Sequence, residues 1–224
     1  MIIPGILEPT FKKVAEKIKT VDGISTIIQI DVADNKLVSG KTFREIEKLR
    51  GLNAKSDLTV HLMVKDPAKF LKRNRKFFLL SANKISGVST VITQLLDEAT
   101  IKNFIAFAKK LGYKVGISIN IDQNNSLLDQ YINDVDLVQF MAIVPGKQGN
   151  DFLPQVLPKI TEFKRDFPSV TTQIDGGVNE NTLPQILKTG VDNIVIGSAI
   201  FNSESPKEKY SEFSKAAYGS SVNS

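Results

Sequence analysis

The tripeptide Gln-Ile-Asp occurs twice in this sequence, and each copy closes an apolar run, with Asp31 at the end of the first and Asp175 at the end of the second. The only histidine of the sequence, His61, closes a third run. A desolvated carboxylate is costly without a cation, a donor or water. Imidazole and carboxylate ligands suit zinc, iron or manganese, so these residues predict a divalent-metal site with an open position. The alternative is that each aspartate only caps the following loop or helix.

Side chains two residues apart in a strand point to the same face, which extends the predicted site. Gln29 shares a face with Asp31, and Met63 shares one with His61. Gly5 ends the first apolar run and Met141 ends the sixth, so both are placed at the same edge. No role is predicted for Gln173, the glutamine of the second Gln-Ile-Asp.

Glycines and a serine follow the last two apolar runs, at Gly176, Gly177, Gly197 and Ser198. Phosphate binding needs close backbone approach, free N–H groups and the positive end of a helix. The pair of motifs therefore predicts a phosphorylated ligand, although glycines also serve turns that bind nothing. The segment VPGKQGNDF, with Gly146 and Gly149, is predicted to fold over the ligand as a lid, with an ordinary turn as the alternative.

Eight short apolar runs alternate with amphipathic stretches along the whole chain. Strands are predicted near 2–6, 25–32, 57–63, 88–94, 114–119, 136–142, 170–175 and 192–196. Regular βα alternation gives a parallel sheet, either an open doubly wound sheet or a closed barrel. No G-x-G-x-x-G follows the first strand, so the closed (β/α)8 TIM barrel is favoured. It would form one domain over residues 1–224, with a frayed tail at about 219–224.

Local signals mark several helix ends. Asp66 with Pro67 is a predicted helix start, and Asn125 or Ser126 is predicted to cap another helix. Gly112 and Gly190 are predicted helix stops. The fourth unit contains two candidate strands within 75–96, of which the second is favoured.

Composition excludes several classes of protein. The chain has 224 residues and a net charge of +5, and its basic residues are interleaved with acidic ones, which favours solvated helix faces over a nucleic-acid surface. The absence of cysteine excludes disulfides and thiol catalysis. No run approaches the roughly 20 apolar residues that a bilayer requires, and the apolar N-terminus meets Pro4 too soon for a signal peptide. A cytoplasmic location is expected.

Several stretches, in this order, resemble the ribulose-phosphate 3-epimerase family. They are IIPGIL, IDVADN, TVHLMVKDP, GISIN, DVDLVQFM, VPGKQGNDF, QIDGGVN and IVIGSAIF, which together extend to about residue 202. The resemblance implies a (β/α)8 barrel that interconverts D-ribulose 5-phosphate and D-xylulose 5-phosphate. It also implies a homo-oligomer.

The resemblance assigns roles to individual residues. Asp31 and Asp175 would be the two acid/base catalysts on opposite faces of the substrate, and with His61 they would hold one divalent ion. The phosphate would contact Gly177, Gly197 and Ser198, and Met63 and Met141 would line the pocket.

The chain departs from the family pattern at several of these positions. Gln29 stands where the family has a metal-binding histidine and is a further candidate ligand, and Gln94 stands where it has another histidine. Gly5 replaces a serine, Ala33 a pocket methionine and Val144 an acidic residue. Alternative functions are therefore an epimerase of another ketose phosphate, or a sugar-phosphate-binding homologue without metal or catalysis. A lyase of the hexulose-phosphate synthase type is disfavoured, because no Asp-x-Lys-x-x-Asp array ends a strand.

Overall fold

A computed structural model describes residues 1–74, 87–145 and 150–219 of the chain. Its centre is a closed barrel of eight parallel strands in sequence order, with β8 paired to β1. The strands are β1 Ile2–Ile6, β2 Ile27–Ala33, β3 Asp57–Met63, β4 Val88–Gln94, β5 Lys114–Ile119, β6 Leu137–Met141, β7 Thr171–Asp175 and β8 Asn193–Ile196. The predicted TIM barrel is confirmed, and the predicted strands match within about two residues at each end.

Side-chain alternation divides each strand between two environments. In β2, Ile28, Ile30 and Val32 belong to the apolar core between the sheet and the surrounding helices. The intervening Gln29 and Asp31 face the inside of the barrel and do not belong to that core. The apolar layer outside the strands thus holds the barrel closed and leaves the inner face available for polar groups.

Helices and two 3₁₀ helices connect the strands. The α-helices are Phe11–Val21, Pro67–Arg73, Glu98–Lys110, Val156–Asp166, Leu183–Leu187, Ser198–Phe201 and Pro206–Tyr218, and the 3₁₀ helices are Ile46–Leu52 and Asn125–Asp134. Within the described residues, no helix is long and apolar enough to cross a bilayer.

The predicted helix signals can be checked individually. Asp66 caps its helix by accepting a hydrogen bond from the Lys69 amide, with Pro67 in the first turn, as predicted. The prediction of Asn125 or Ser126 as a cap is wrong, because the side chain of Asn124 accepts from the Ser126 amide. Any of these residues can cap, and the chain path into the helix selects Asn124.

Other predictions concern chain turns and the fourth unit. Gly112 and Gly190 have positive φ after their helices, as predicted. The second candidate strand of the fourth unit is β4, as favoured. The first candidate strand falls largely within residues 75–86, outside the described residues, as does the tail beyond 219.

Candidate active site

Asp31, His61 and Asp175 lie together at the carboxyl end of the barrel. They belong to β2, β3 and β7, and Asp31 is paired in register with His61. Nδ1 of His61 is 3.3 Å from Oδ1 of Asp31 and 3.7 Å from Oδ2 of Asp175. One ligand atom from each residue lies within 4.8 Å of the others. The structure therefore brings together the three side chains that the strand ends predicted.

A pocket at this end of the barrel contains most of the predicted site residues. Its lining includes Gly5, Asp31, His61, Met63, Met141, Asp175, Gly176, Gly177, Gly197 and Ser198. Gln29 is fully buried and does not line the pocket. Gly146 and Gly149 lie outside the described residues.

Gln29 connects the two aspartates. Its Nε2 donates to Oδ1 of Asp31 at 2.9 Å and to Oδ2 of Asp175 at 2.7 Å. An amide nitrogen has hydrogens to donate and no lone pair for a cation. To act as the predicted metal ligand, Gln29 would have to turn its amide so that Oε1 faced the carboxylates.

The Asp175 carboxyl has a perturbed pKa. Burial, followed by repulsion from Asp31, raises the pKa of Asp175 to about 7, while His61 and the hydrogen bond from Gln29 act in the opposite direction. A carboxyl with this pKa exchanges a proton readily at neutral pH. The aspartate pair can therefore hold one acid and one base at the same time, which proton transfer on two faces of a substrate requires.

This pKa also predicts how stability depends on pH. The pKa of Asp175 in the folded protein lies above the ordinary value of 3.8. Its favourable contribution to the free energy of unfolding is therefore complete below pH 3.8 and is lost as pH rises through about 7. When pH rises from 5 to 8, the free energy of unfolding of the wild type should fall by up to about 3 kcal/mol relative to that of Asp175→Asn, whose side chain cannot ionise. Urea unfolding of both proteins in the presence of a chelator measures this difference. A constant difference across the range would contradict the raised pKa.

The surroundings of His61 are compatible with a divalent ion. Nε2 of Gln94 lies 2.9 Å from Nε2 of His61, and Nε2 of Gln139 lies 3.2 Å from Nδ1 of the same ring. With the Gln94 amide in this orientation, Nε2 of His61 is the acceptor of its hydrogen bond. Oε1 of Gln94 is buried and has no hydrogen-bond partner among the residues that the structure describes. If the Gln94 amide turns, Oε1 can accept from Nε2–H, and Nδ1 is then free to bind a cation beside the two carboxylates. The three ligands therefore fit a divalent ion.

The glycines after β7 and β8 form one side of the pocket. Gly197 precedes the short helix Ser198–Phe201. Gly177 has φ +67°, and a Cβ built on it would lie 2.8 Å from Cα of Phe152. Only glycine allows this close approach of two backbones. Gly177 is therefore required both by the turn and by the limited space beside the pocket.

Gly177→Ala tests that close approach. We expect a loss of about 2 to 4 kcal/mol in unfolding free energy, since left-handed strain and the contact with Phe152 add together. Gly112→Ala is the matched control, because Gly112 has φ +83° but no atom within 4 Å of a built Cβ. Gly112→Ala should lose only about 1 to 2 kcal/mol of unfolding free energy, measured with urea. Equal losses in the two variants would show that contact with Phe152 is unimportant.

The side chain of Val195 occupies the space that a side chain at position 5 would need. A Cβ at this position would lie 2.7 Å from Cγ1 of Val195 in the neighbouring strand β8. Val195 also lines the pocket. The serine of the family pattern therefore cannot be restored at position 5 unless Val195 moves or is replaced by a smaller residue.

A layer of buried glutamines, which the sequence did not predict, lies beneath the aspartates. Nε2 of Gln139 donates to Oδ2 of Asp175 at 3.2 Å, and Gln173, to which no role was assigned, donates to both Gln29 and Gln139. A signal was present, because Gln139 and Gln173 each lie two residues before a predicted pocket residue and share its face.

Comparison with known proteins identifies relatives over nearly the whole chain. The model described as the Ribulose-phosphate 3 epimerase family matches residues 1–201. The Ribulose-phosphate 3-epimerase of Bacillus subtilis is 29% identical over 219 residues, which cover 94% of this chain and 96% of that protein. The protein of the same name from Escherichia coli K12 is 27% identical and covers 97% of this chain and 98% of its own length.

Solved structures share the architecture at lower identity. The 3-hexulose-6-phosphate synthase from Salmonella typhimurium is similar with a TM-score of 0.69 and 14% identity, covering 96% of this chain and 97% of that chain. At this identity the likeness concerns the fold alone.

Proposed function

Because the chain belongs to the ribulose-phosphate 3-epimerase family and is an isomerase, we propose that it interconverts D-ribulose 5-phosphate and D-xylulose 5-phosphate. The observation that carries the proposal is the aspartate pair. Asp31 and Asp175 meet at the pocket from strands on different sides of the barrel, and Asp175 has its pKa raised to about 7.

The proposed reaction is a transfer of two protons at one carbon. One aspartate, ionised, removes the proton from the carbon beside the substrate carbonyl and leaves an ene-diolate. The other aspartate, protonated, returns a proton to the opposite face of that carbon, so the configuration is inverted. In the reverse direction the two residues exchange roles. The raised pKa of Asp175 supports this assignment, because it keeps both protonation states accessible near neutral pH.

Asp31, His61 and Asp175 would hold the divalent ion that the family implies. When bound, such an ion stabilises negative charge on the substrate oxygens. The protein groups then have separate tasks. Gln29 and Gln139 hold Asp175 in place by donating to its Oδ2, and Gln94 orients the His61 ring.

The remainder of the pocket would position the substrate. We assign the phosphate group to the backbone of Gly176, Gly177, Gly197 and Ser198, because all four line the pocket and the three glycines have no Cβ atom that would keep an anion from the backbone. Met63 and Met141 line the pocket beside the aspartates and would exclude water from the reacting carbon.

The proposal is tested by assaying the purified protein with each pentulose phosphate, with and without added zinc, iron or manganese, and following the products by NMR. Conversion in both directions to one common equilibrium mixture is expected. Faster conversion of a ketohexose 6-phosphate would identify a different ketose substrate. Binding of the sugar phosphate without any conversion would contradict the proposal and favour a non-catalytic binder.

A further inference from the structure

Three glutamine amides form a connected chain below the aspartates. Nε2 of Gln173 donates to Oε1 of Gln29 at 2.8 Å and to Oε1 of Gln139 at 2.7 Å. Gln29 then donates to Asp31 and Asp175, and Gln139 donates to Asp175. All three glutamines are buried, with at most 2% of their surface exposed.

The direction of each amide in this chain depends on Gln173. An amide group has one accepting end and one donating end, so a glutamine that accepts through Oε1 must present Nε2 on its other side. Both Gln29 and Gln139 accept from the same nitrogen. If Gln29 turned alone, its Nε2 would face the Nε2 of Gln173, and two buried donors would oppose each other.

We propose that Gln173 is a positioning residue that sets the direction of the amides facing the catalytic pair. By donating to Gln29 and Gln139, it makes both direct N–H groups at the carboxylates, so the aspartates are held together by neutral donors. Gln29 supplies its oxygen to a cation only when Gln173 turns with it, and Gln139 must then turn as well, because its Oε1 would otherwise face Oε1 of Gln173. The inference rests on the proposed function, in which Asp31 and Asp175 exchange protons with the substrate.

The proposal is tested by a substitution that replaces the donating amide of Gln173 with an accepting carboxylate. In Gln173→Glu the side chain accepts where glutamine donated, so Gln29 and Gln139 both turn, and Gln29 directs Oε1 at the carboxylates as a fourth ligand. We expect the Kd of Mn²⁺ alone, measured by titration calorimetry, to tighten by at least about 10-fold. Mn²⁺ binding no tighter than in wild type, in a folded variant, would overturn the proposal.

A double-mutant cycle separates amide reversal from simple attraction by the added charge. Gln29→Met removes the amide and keeps an unbranched side chain of similar length. In that background Gln173→Glu should change the Kd of Mn²⁺ by less than about 3-fold. A gain that persists at full size without Gln29 would result from the charge alone and would overturn the proposal.

A second measurement uses wild type, in case Gln173→Glu does not fold. Addition of Zn²⁺ should shift the side-chain amide NMR signals of Gln29, Gln139 and Gln173 together, because the three amides must turn together. A shift of the Gln29 signal while Gln173 stays unchanged would contradict the coupling. Neither metal titration involves a substrate, so their outcome is independent of the epimerase assay.

Discussion

Asp175→Asn is expected to lower kcat about 10²- to 10⁴-fold with little change in KM, because a general acid–base group typically contributes a factor of this order and asparagine cannot carry a proton to carbon. The amide keeps the size of the carboxyl, so the pocket and the glycines proposed to bind phosphate are preserved. Asp31→Asn should show a loss of the same order, since each direction of the reaction needs both residues.

Asp57→Asn is the matched control for these two variants. Asp57 is exposed at the start of β3, the strand that carries His61, but at the opposite end of the barrel. Its replacement should leave kcat unchanged within about 2-fold, as expected for an exposed position away from the site. Initial rates in both directions, with each pentulose phosphate, provide the measurement. A variant of Asp31 or Asp175 that retained more than a tenth of wild-type kcat would remove that residue from the proposed chemistry.

Gln29→His should tighten divalent-cation binding by at least about 100-fold. Loss of a residue that only supports a ligand usually changes metal affinity by about 10- to 100-fold, and a direct fourth ligand contributes no less. The change also removes an N–H group that points at both carboxylates in wild type. Histidine instead places a ring nitrogen lone pair beside the three candidate ligands Asp31, His61 and Asp175.

Gln29→Met serves as the control for this change. Methionine removes the amide without adding a strong ligand for zinc or manganese, so its cation affinity should remain within a few-fold of wild type. Titration calorimetry with Mn²⁺ on chelator-treated protein compares the three proteins directly. Equal affinities for the histidine and methionine variants would show that position 29 does not reach the cation.

The fold could be predicted from the sequence because its signals are local and repeated. Each β-branched run is short, and each is followed by an amphipathic stretch, so errors at strand ends did not change the topology. The meeting of Asp31, His61 and Asp175 followed from one general rule, that parallel strands place their carboxyl ends at the same edge. The two 3₁₀ helices and the cap at Asn124 depend on the path of loops, which residue type alone does not determine.

The glutamine layer was harder to predict because it depends on partners that are distant in sequence. Gln173 and Gln29 are separated by 144 positions, and the direction of each amide is determined only when strands β2, β6 and β7 are assembled. The alternation pattern places Gln139 and Gln173 on the inner face, but it does not reveal which end of an amide faces an aspartate. The contact between Gly5 and Val195 is likewise visible only in three dimensions.

Proton transfer by two residues on opposite faces of one carbon can be followed in the early conversion of unlabelled D-ribulose 5-phosphate in D₂O. Newly formed D-xylulose 5-phosphate should carry one solvent deuterium at the inverted carbon, while the remaining substrate is still unlabelled, because one residue removes the proton and the other delivers a deuteron. NMR of the mixture at a few per cent conversion distinguishes the outcomes. Product that retains the original hydrogen would show transfer by a single base and would contradict the two-aspartate account.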